Sequence, residues 1–176
     1  GFRFDQNDMS ESSAPALKEY FNARRFRQIA KDVAAVHPGF DSKRFLALSL
    51  PGLDALSLLQ RLRLVTESLH ATLPSNYRKT LGILRRLAPR IDPGFVTLFL
   101  PDFVGLHGHD HFDDSMEALK FFTPFGSSEF GIRPFLRRDL RRTLKVMERW
   151  AEDENEHVRR LSSEGSRPRL PWSFRL

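Results

Sequence analysis

Cysteine is absent from the sequence, which excludes disulfide bonds, thiol nucleophiles and metal sites built from thiolates. Long apolar runs are absent too. The longest, over residues 45–59, is interrupted by Pro51, Gly52 and Asp54 and is shorter than the roughly 20 residues that span a bilayer. The glycines are scattered and form neither a phosphate-binding loop nor a dinucleotide-binding pattern. We therefore expect no cofactor, no membrane partner and, by default, a cytoplasmic location.

Arginine carries most of the positive charge. The chain has 28 Lys+Arg residues against 22 Asp+Glu, a formal net charge of +6, and only six of the 28 are lysines. The planar guanidinium group pairs with phosphates through two parallel hydrogen bonds, whereas the lysine ammonium acts as a point charge. Because 40% of the residues are hydrophobic, the composition indicates a folded protein, and its arginines favour a phosphate-containing partner.

Apolar residues recur at helical spacing, and the two-residue alternation typical of strands is almost absent, so the sequence predicts an all-α fold. Successive helix pairs begin near 17, 54, 94 and 128, at spacings of about 37, 40 and 34 residues, as in HEAT-like repeats. We therefore predict a helical-repeat solenoid of antiparallel helix pairs with a concave basic face; the alternative is an irregular helical bundle. The predicted helices cover 17–36, 41–50, 54–73, 76–88, 94–107, 114–125, 128–138, 140–151 and 155–164.

The first sixteen residues are polar and are expected to form a flexible lead to this domain. Met9 is a candidate natural start, in which case residues 1–8 were added for expression. We expect the helical-repeat domain to cover 17–176 and to act as a monomer.

The predicted helix 140–151 has two distinct faces. Leu140, Leu144, Met147 and Ala151 form an apolar stripe that we expect to face the core. The opposite side carries four basic residues, and few acidic residues are near enough to neutralise them, which favours phosphate binding over a merely solvated face. These basic residues are Arg141, Arg142, Lys145 and Arg149.

A histidine cluster resembles metal-ligand material but has no established spacing. His107, His109 and His111 lie two residues apart and are followed by Asp113 and Asp114, and on a helix such neighbours point away from each other. The segment 114–117 reads better as a capping box that opens the next helix. We therefore expect no metal here, and we keep a metal hydrolase as a minor alternative.

The C-terminal segment is the most distinctive part of the sequence. A short helix with the adjacent Arg159 and Arg160 is followed by Arg167, Arg169 and Trp172, which two prolines hold in a stiff loop. An indole flanked by guanidinium groups is a combination that binds exposed bases and their phosphates.

Three stretches resemble a known family, the AlkC-like DNA glycosylases of the HEAT-like-repeat (AlkD-related) superfamily. They are HFDDSMEAL (111–119), EFGIRPFL (129–136) and NEHVRRLSSEGSRPRLPW (155–172), and the last is long and unusual. The likeness extends from about residue 17 to the end and is weaker in the first ninety residues. Members of the family continue into further helical repeats, so we expect this chain to lack the C-terminal ones.

The resemblance implies an enzyme that hydrolyses the N-glycosidic bond of cationic alkylated bases, of the 3-methyladenine type, in duplex DNA without deep base flipping. By motif it assigns Glu129 and Glu164 as the catalytic carboxylates and Trp172 as the contact to the lesion or its sugar; Glu117 and Asp153 are the reserve carboxylates. An alkylated purine is already a good leaving group, so the remaining task is to stabilise the developing sugar cation, which a carboxylate does electrostatically. The arginines expected to bind DNA are Arg141, Arg142, Arg149, Arg159, Arg160, Arg167 and Arg169.

The main rival interpretation is a non-catalytic helical-repeat scaffold that binds nucleic acid or an acidic protein through the same basic face. Such a scaffold has no need for Glu129 and Glu164 to lie together. The position of these two carboxylates therefore discriminates between the two functions.

Overall fold

The protein is described by a computed structural model that covers residues 17–165. Over this range the predicted all-α fold is confirmed, with nine α-helices, four short 3-10 helices (Glu19–Phe21, Leu53–Ala55, Ala88–Arg90 and Phe95–Leu98) and no strand. The nine helices are α1 (Ala23–Val36), α2 (Ser42–Ser49), α3 (Leu58–Thr72), α4 (Tyr77–Leu87), α5 (Phe99–His107), α6 (Phe112–Phe122), α7 (Glu129–Arg138), α8 (Leu140–Trp150) and α9 (Glu156–Gly165). No helix among these residues is long and apolar enough to cross a bilayer.

Side-chain caps set the beginnings of the first four helices. Asn22, Asp41 and Asn76 each accept a hydrogen bond from a backbone N–H of the following turn, and Ser57 forms a capping box with Gln60. The prediction of one continuous helix over 17–36 is wrong in one respect. Asn22 has extended backbone angles and starts a new helix at Ala23, because its side chain satisfies a free N–H group there.

Besides the contacts between successive helices, several helices pack on the second or third one after them. Helix α3 packs on α5, α5 on α7 and α7 on α9, while α1 packs on α4 and α4 on α6. This is the arrangement of a helical-repeat fold, in which neighbouring repeats bury a continuous core between them. The core is rich in phenylalanine, including Phe26, Phe45, Phe99, Phe122 and Phe135.

Two glycines let α5 and α7 approach each other closely. A Cβ atom on Gly105 would lie 2.8 Å from the carbonyl oxygen of Gly131, and one on Gly131 would overlap the carbonyl oxygen of Pro101. Only hydrogen side chains permit this backbone contact. The contact fixes the position of α7, whose first residue is Glu129.

The predicted core stripe of α8 is wrong. Of the four residues in that stripe only Met147 is buried, whereas Leu140 and Leu144 are 53% and 38% exposed and Ala151 is also exposed. The buried face consists of Thr143, Val146, Met147 and Trp150. The true face is rotated by about 80° from the predicted one, at roughly 100° per residue.

Thr143 explains this error in part. Thr143 is fully buried, and its hydroxyl donates to the carbonyl oxygens of Asp139 and Phe135. These hydrogen bonds satisfy the polar group, so a threonine is tolerated in the core. The predicted exposure of Arg141, Arg142, Lys145 and Arg149 is nevertheless confirmed.

The predicted capping box at 114–117 is also wrong. Helix α6 begins two residues earlier, at Phe112, and its N-cap residue His111 makes no side-chain capping bond. Asp114 instead accepts a hydrogen bond from Arg78 at 2.7 Å. Ser115 donates to the carbonyl oxygen of Gly108 at 2.6 Å, which ties the start of α6 to the preceding turn.

Candidate active site

The two carboxylates singled out in the sequence lie together. Glu129 is the first residue of α7 and Glu164 lies in the last turn of α9, and their side chains are hydrogen-bonded to each other. Two carboxyl groups share a hydrogen bond only when one of them carries a proton. The packing of α7 against α9 therefore creates a carboxyl pair that favours holding one proton between its two members.

Burial raises the pKa of Glu129 to about 7, with smaller contributions in the same direction from the hydrogen bond to Glu164 and from its negative charge. The positive charge of Arg160 and a hydrogen bond from Ser127 act in the opposite direction. Only 7% of Glu129 is exposed. A carboxyl group in such a setting exchanges its proton near neutral pH, as catalytic carboxyl groups commonly do.

Arg160 connects the pair to a small cleft. Its Nε donates to Oε2 of Glu164 at 2.9 Å, one helical turn away. The cavity in the cleft has a volume of about 20 Å³, room for about one water molecule and far too little for a purine. The residues around the cleft are Thr123, Pro124, Gly126, Ser127, Glu129, His157, Arg160 and Leu161.

The reserve carboxylates lie elsewhere. Glu117 is exposed on α6. Asp153 accepts a hydrogen bond from the Asn155 backbone N–H and forms an ion pair with Lys120 at 3.0 Å, and these contacts lower its pKa. The structure thus brings together Glu129 and Glu164 and includes neither reserve carboxylate in the pair.

The predicted DNA-binding arginines of α8 and α9 differ in their contacts. Arg141 and Arg149 are exposed. Arg142 lies over the ring of Phe112, 3.9 Å from its centroid, and donates to Asp139. Arg159 donates to the backbone carbonyls of Asp153 and Glu154. Three further predicted residues, Arg167, Arg169 and Trp172, lie outside the described residues.

Arg133 lies on the same helix as Glu129, and the sequence did not predict that its side chain is buried. It is one of the seven basic residues between 133 and 149. Its side chain, on α7, is nevertheless fully buried. Among residues 17–165 none is hydrogen-bonded to its Nε, Nη1 or Nη2. Its spacing of four residues from Glu129 is the one signal that could have connected the two.

Each histidine of the predicted cluster has another partner. His107 bonds to Glu67 at 2.7 Å and stacks on His70, His109 bonds to the carbonyl oxygen of Gly105, and His111 stacks on Tyr77. Within the described range, no three His, Cys, Asp or Glu side chains are grouped to hold a metal ion.

The chain is similar to a solved structure over most of its length. The chain is 59% identical to the Pseudomonas fluorescens alkylpurine DNA glycosylase AlkC, whose structure is bound to DNA containing an abasic site analog, with a TM-score of 0.89. The predicted resemblance to AlkC is confirmed. The match covers 93% of this chain and 46% of the AlkC chain.

A second similar protein is also more than twice as long as this chain. The chain is 44% identical over 157 residues to the uncharacterized protein YhaZ of Bacillus subtilis (strain 168), which covers 89% of this chain and 44% of YhaZ. No protein-family model matches the chain. The chain therefore spans less than half the length of both AlkC and YhaZ.

Proposed function

We propose that this chain carries the catalytic carboxylates of a DNA glycosylase that excises cationic alkylated purines, of the 3-methyladenine type, from duplex DNA. The observation that carries the proposal is the contact between the buried carboxyl group of Glu129 and the partly buried carboxyl group of Glu164. A scaffold has no use for a buried carboxyl group in contact with a second one, because burying it costs folding free energy. The similarity to the glycosylase AlkC supplies the class of substrate.

The reaction needs little acid catalysis. As the N-glycosidic bond breaks, its electron pair moves to the cationic base and neutralises it, and positive charge develops at C1′ of the deoxyribose. The ionised pair stabilises this charge because it lies in a buried setting where water screens little. Water then adds to C1′ and gives up one proton, which the pair can accept.

The dimensions of the cleft support recognition without deep base flipping. A cavity of about 20 Å³ beside Glu129 and Arg160 accommodates a water molecule rather than a purine. We propose that Arg160, together with Arg141, Arg142, Arg149, Arg159, Arg167 and Arg169, binds phosphates around this cleft, and that Trp172 contacts the lesion or its sugar.

Single-turnover release of 3-methyladenine from duplex DNA tests the proposal, with the protein in its full natural length. We expect Glu129→Gln and Glu164→Gln each to lower the rate by about a hundredfold or more while DNA binding is retained. Glu117→Gln, which removes an exposed carboxylate, serves as the matched control. DNA binding by the parent protein without base release would favour the scaffold instead.

A further inference from the structure

Arg133 is the most unusual charged residue in the described structure. Its relative exposure is 0%, and all three guanidinium nitrogens lack a hydrogen-bond partner within residues 17–165. Buried guanidinium groups are normally paired, because an unpaired buried charge destabilises the folded state. A buried arginine that destabilises the fold in this way is expected to have a function that offsets the cost.

The position of Arg133 relative to Glu129 indicates that function. The two residues lie four apart on α7, with Glu129 on the N-terminal side, which is the favourable order for an ion pair on a helix. Nevertheless the Glu129 carboxyl bonds to Glu164 on α9. Burial lowers the pKa of Arg133, and the charge of Glu129 acts on it in the opposite direction. The two groups therefore interact through space without a direct bond.

The other charged and titratable groups that act on Glu129 or line its cleft lie on α9, and the charged groups of α5 and α6 described below are paired with other residues. Helix α9 contributes Glu164, Arg160 and His157. The buried face of α8 is uncharged. On α6, Lys120 is held by Asp153, and on α5 the carboxylate of Asp102 is held by Arg63 and Thr66. Arg133 is thus the one buried cation on the helix of Glu129 itself.

We propose that Arg133 is a positioning residue that controls the charge of the Glu129–Glu164 pair: its buried guanidinium stabilises the Glu129 carboxylate once the shared proton leaves. In the protonated pair the Glu129–Glu164 hydrogen bond forms, and no group within residues 17–165 is hydrogen-bonded to the Arg133 guanidinium. In the ionised pair the two carboxylates repel each other, and Arg133, one helical turn from Glu129 on α7, adds its charge to that of Arg160 in offsetting that repulsion. This inference rests on the proposed function, since it assigns how that site reaches its active charge state.

Titration of the Glu129 carboxyl carbon by NMR, on ¹³C-glutamate-labelled protein in its full natural length, tests the inference without reference to activity. We expect Arg133→Met to raise the apparent pKa of the pair by about one unit or more and Arg133→Lys, which keeps the charge, to leave it close to the parent value. Arg44→Gln removes an exposed cation on α2, which packs on α1 and α3, and is the matched control.

The same variants predict a change in the pH profile of excision. A shift of one unit from a pKa near 7 lowers the ionised fraction at pH 7 about fivefold, so the Arg133→Met rate should fall by that factor at pH 7 and recover above pH 9. A merely structural role would lower the rate equally at every pH.

Each outcome decides a separate point. An unchanged Glu129 pKa in folded Arg133→Met overturns the inference, whether or not the protein excises bases. A shifted pKa in a protein that releases no base supports the inference and rejects the proposed function. Methionine removes an unpaired buried charge, so we expect the variant to fold. Should it fail to do so, a rise of one unit or more in Arg133→Lys would overturn the inference.

Discussion

Replacing Glu129 with glutamine should make the protein more stable at alkaline pH even as it removes activity. The amide has the shape of the carboxyl group and can donate to Glu164, but it never ionises. In the parent protein the pKa of Glu129 is raised by burial and by Glu164 to about 7. In the unfolded chain an unperturbed glutamate has a pKa of about 4.3.

The sign of the effect follows from proton binding. A carboxyl group whose pKa is higher in the folded state binds its proton more tightly there, so its contribution to stability is fully present below about pH 4.3. That contribution is lost as the pH rises to about 7. At about 1.36 kcal/mol for each unit, the whole loss amounts to about 3.7 kcal/mol, of which about 3 kcal/mol falls above pH 4.5. Since Glu129 is only 7% exposed, no large reduction for solvent screening applies.

Urea unfolding followed by circular dichroism measures this at half-unit steps from pH 4.5 to 9. The free energy of unfolding of Glu129→Gln, minus that of the parent, should grow by about 3 kcal/mol between pH 4.5 and 8. The other titrating groups are common to both proteins and largely cancel in this difference. Glu152→Gln, at an exposed carboxylate after α8, measures the effect of removing a charge alone. A difference that stays constant, or falls, over this range would refute the argument.

Two further predictions concern packing and DNA binding. Gly131→Ala should force α5 and α7 apart and lower the free energy of unfolding by about 1–3 kcal/mol. Gly82→Ala on α4, whose Cβ would meet only the Arg86 side chain at 3.6 Å, should raise it by about 0.5–1 kcal/mol; thermal unfolding checks both. Removing Arg141 and Arg149 together should lower the slope of log affinity against log salt by about 0.9 for each phosphate that the variant no longer neutralises, as measured by fluorescence anisotropy on undamaged duplex. Arg44→Ala should leave that slope unchanged. If the double variant also leaves it unchanged, the assignment of Arg141 and Arg149 to DNA binding is wrong.

The helices were predictable from local signals, because their beginnings depend on side chains only a few residues away. Asn22, Asp41, Ser57 and Asn76 cap the helices that follow them through contacts within the same turn. Local signals failed where a distant contact competed with them. Helix α6 starts before the predicted capping box because Ser115 is bonded to Gly108 and Asp114 to Arg78, which lies on another helix.

The candidate site was also predictable only in its local features. The motifs of the sequence pointed to Glu129 and Glu164 as separate candidates, since each lies in a stretch that resembles the AlkC-like glycosylases. That they lie close enough to interact depends on the packing of α7 against α9, which brings together residues 35 positions apart in the chain. No local pattern encodes such a contact.

The sequence by itself determined the helical fold, the excess of arginine and the two motif carboxylates, because helical periodicity, composition and short motifs are local properties. Only the tertiary structure decided which face of each helix is buried. It turned α8 so that Thr143 and Trp150 face the core in place of Leu140 and Leu144, and it buried the Arg133 side chain completely. The physical reason is that burial depends on which helices pack together, and the close contact at Gly105 and Gly131 sets this in three dimensions.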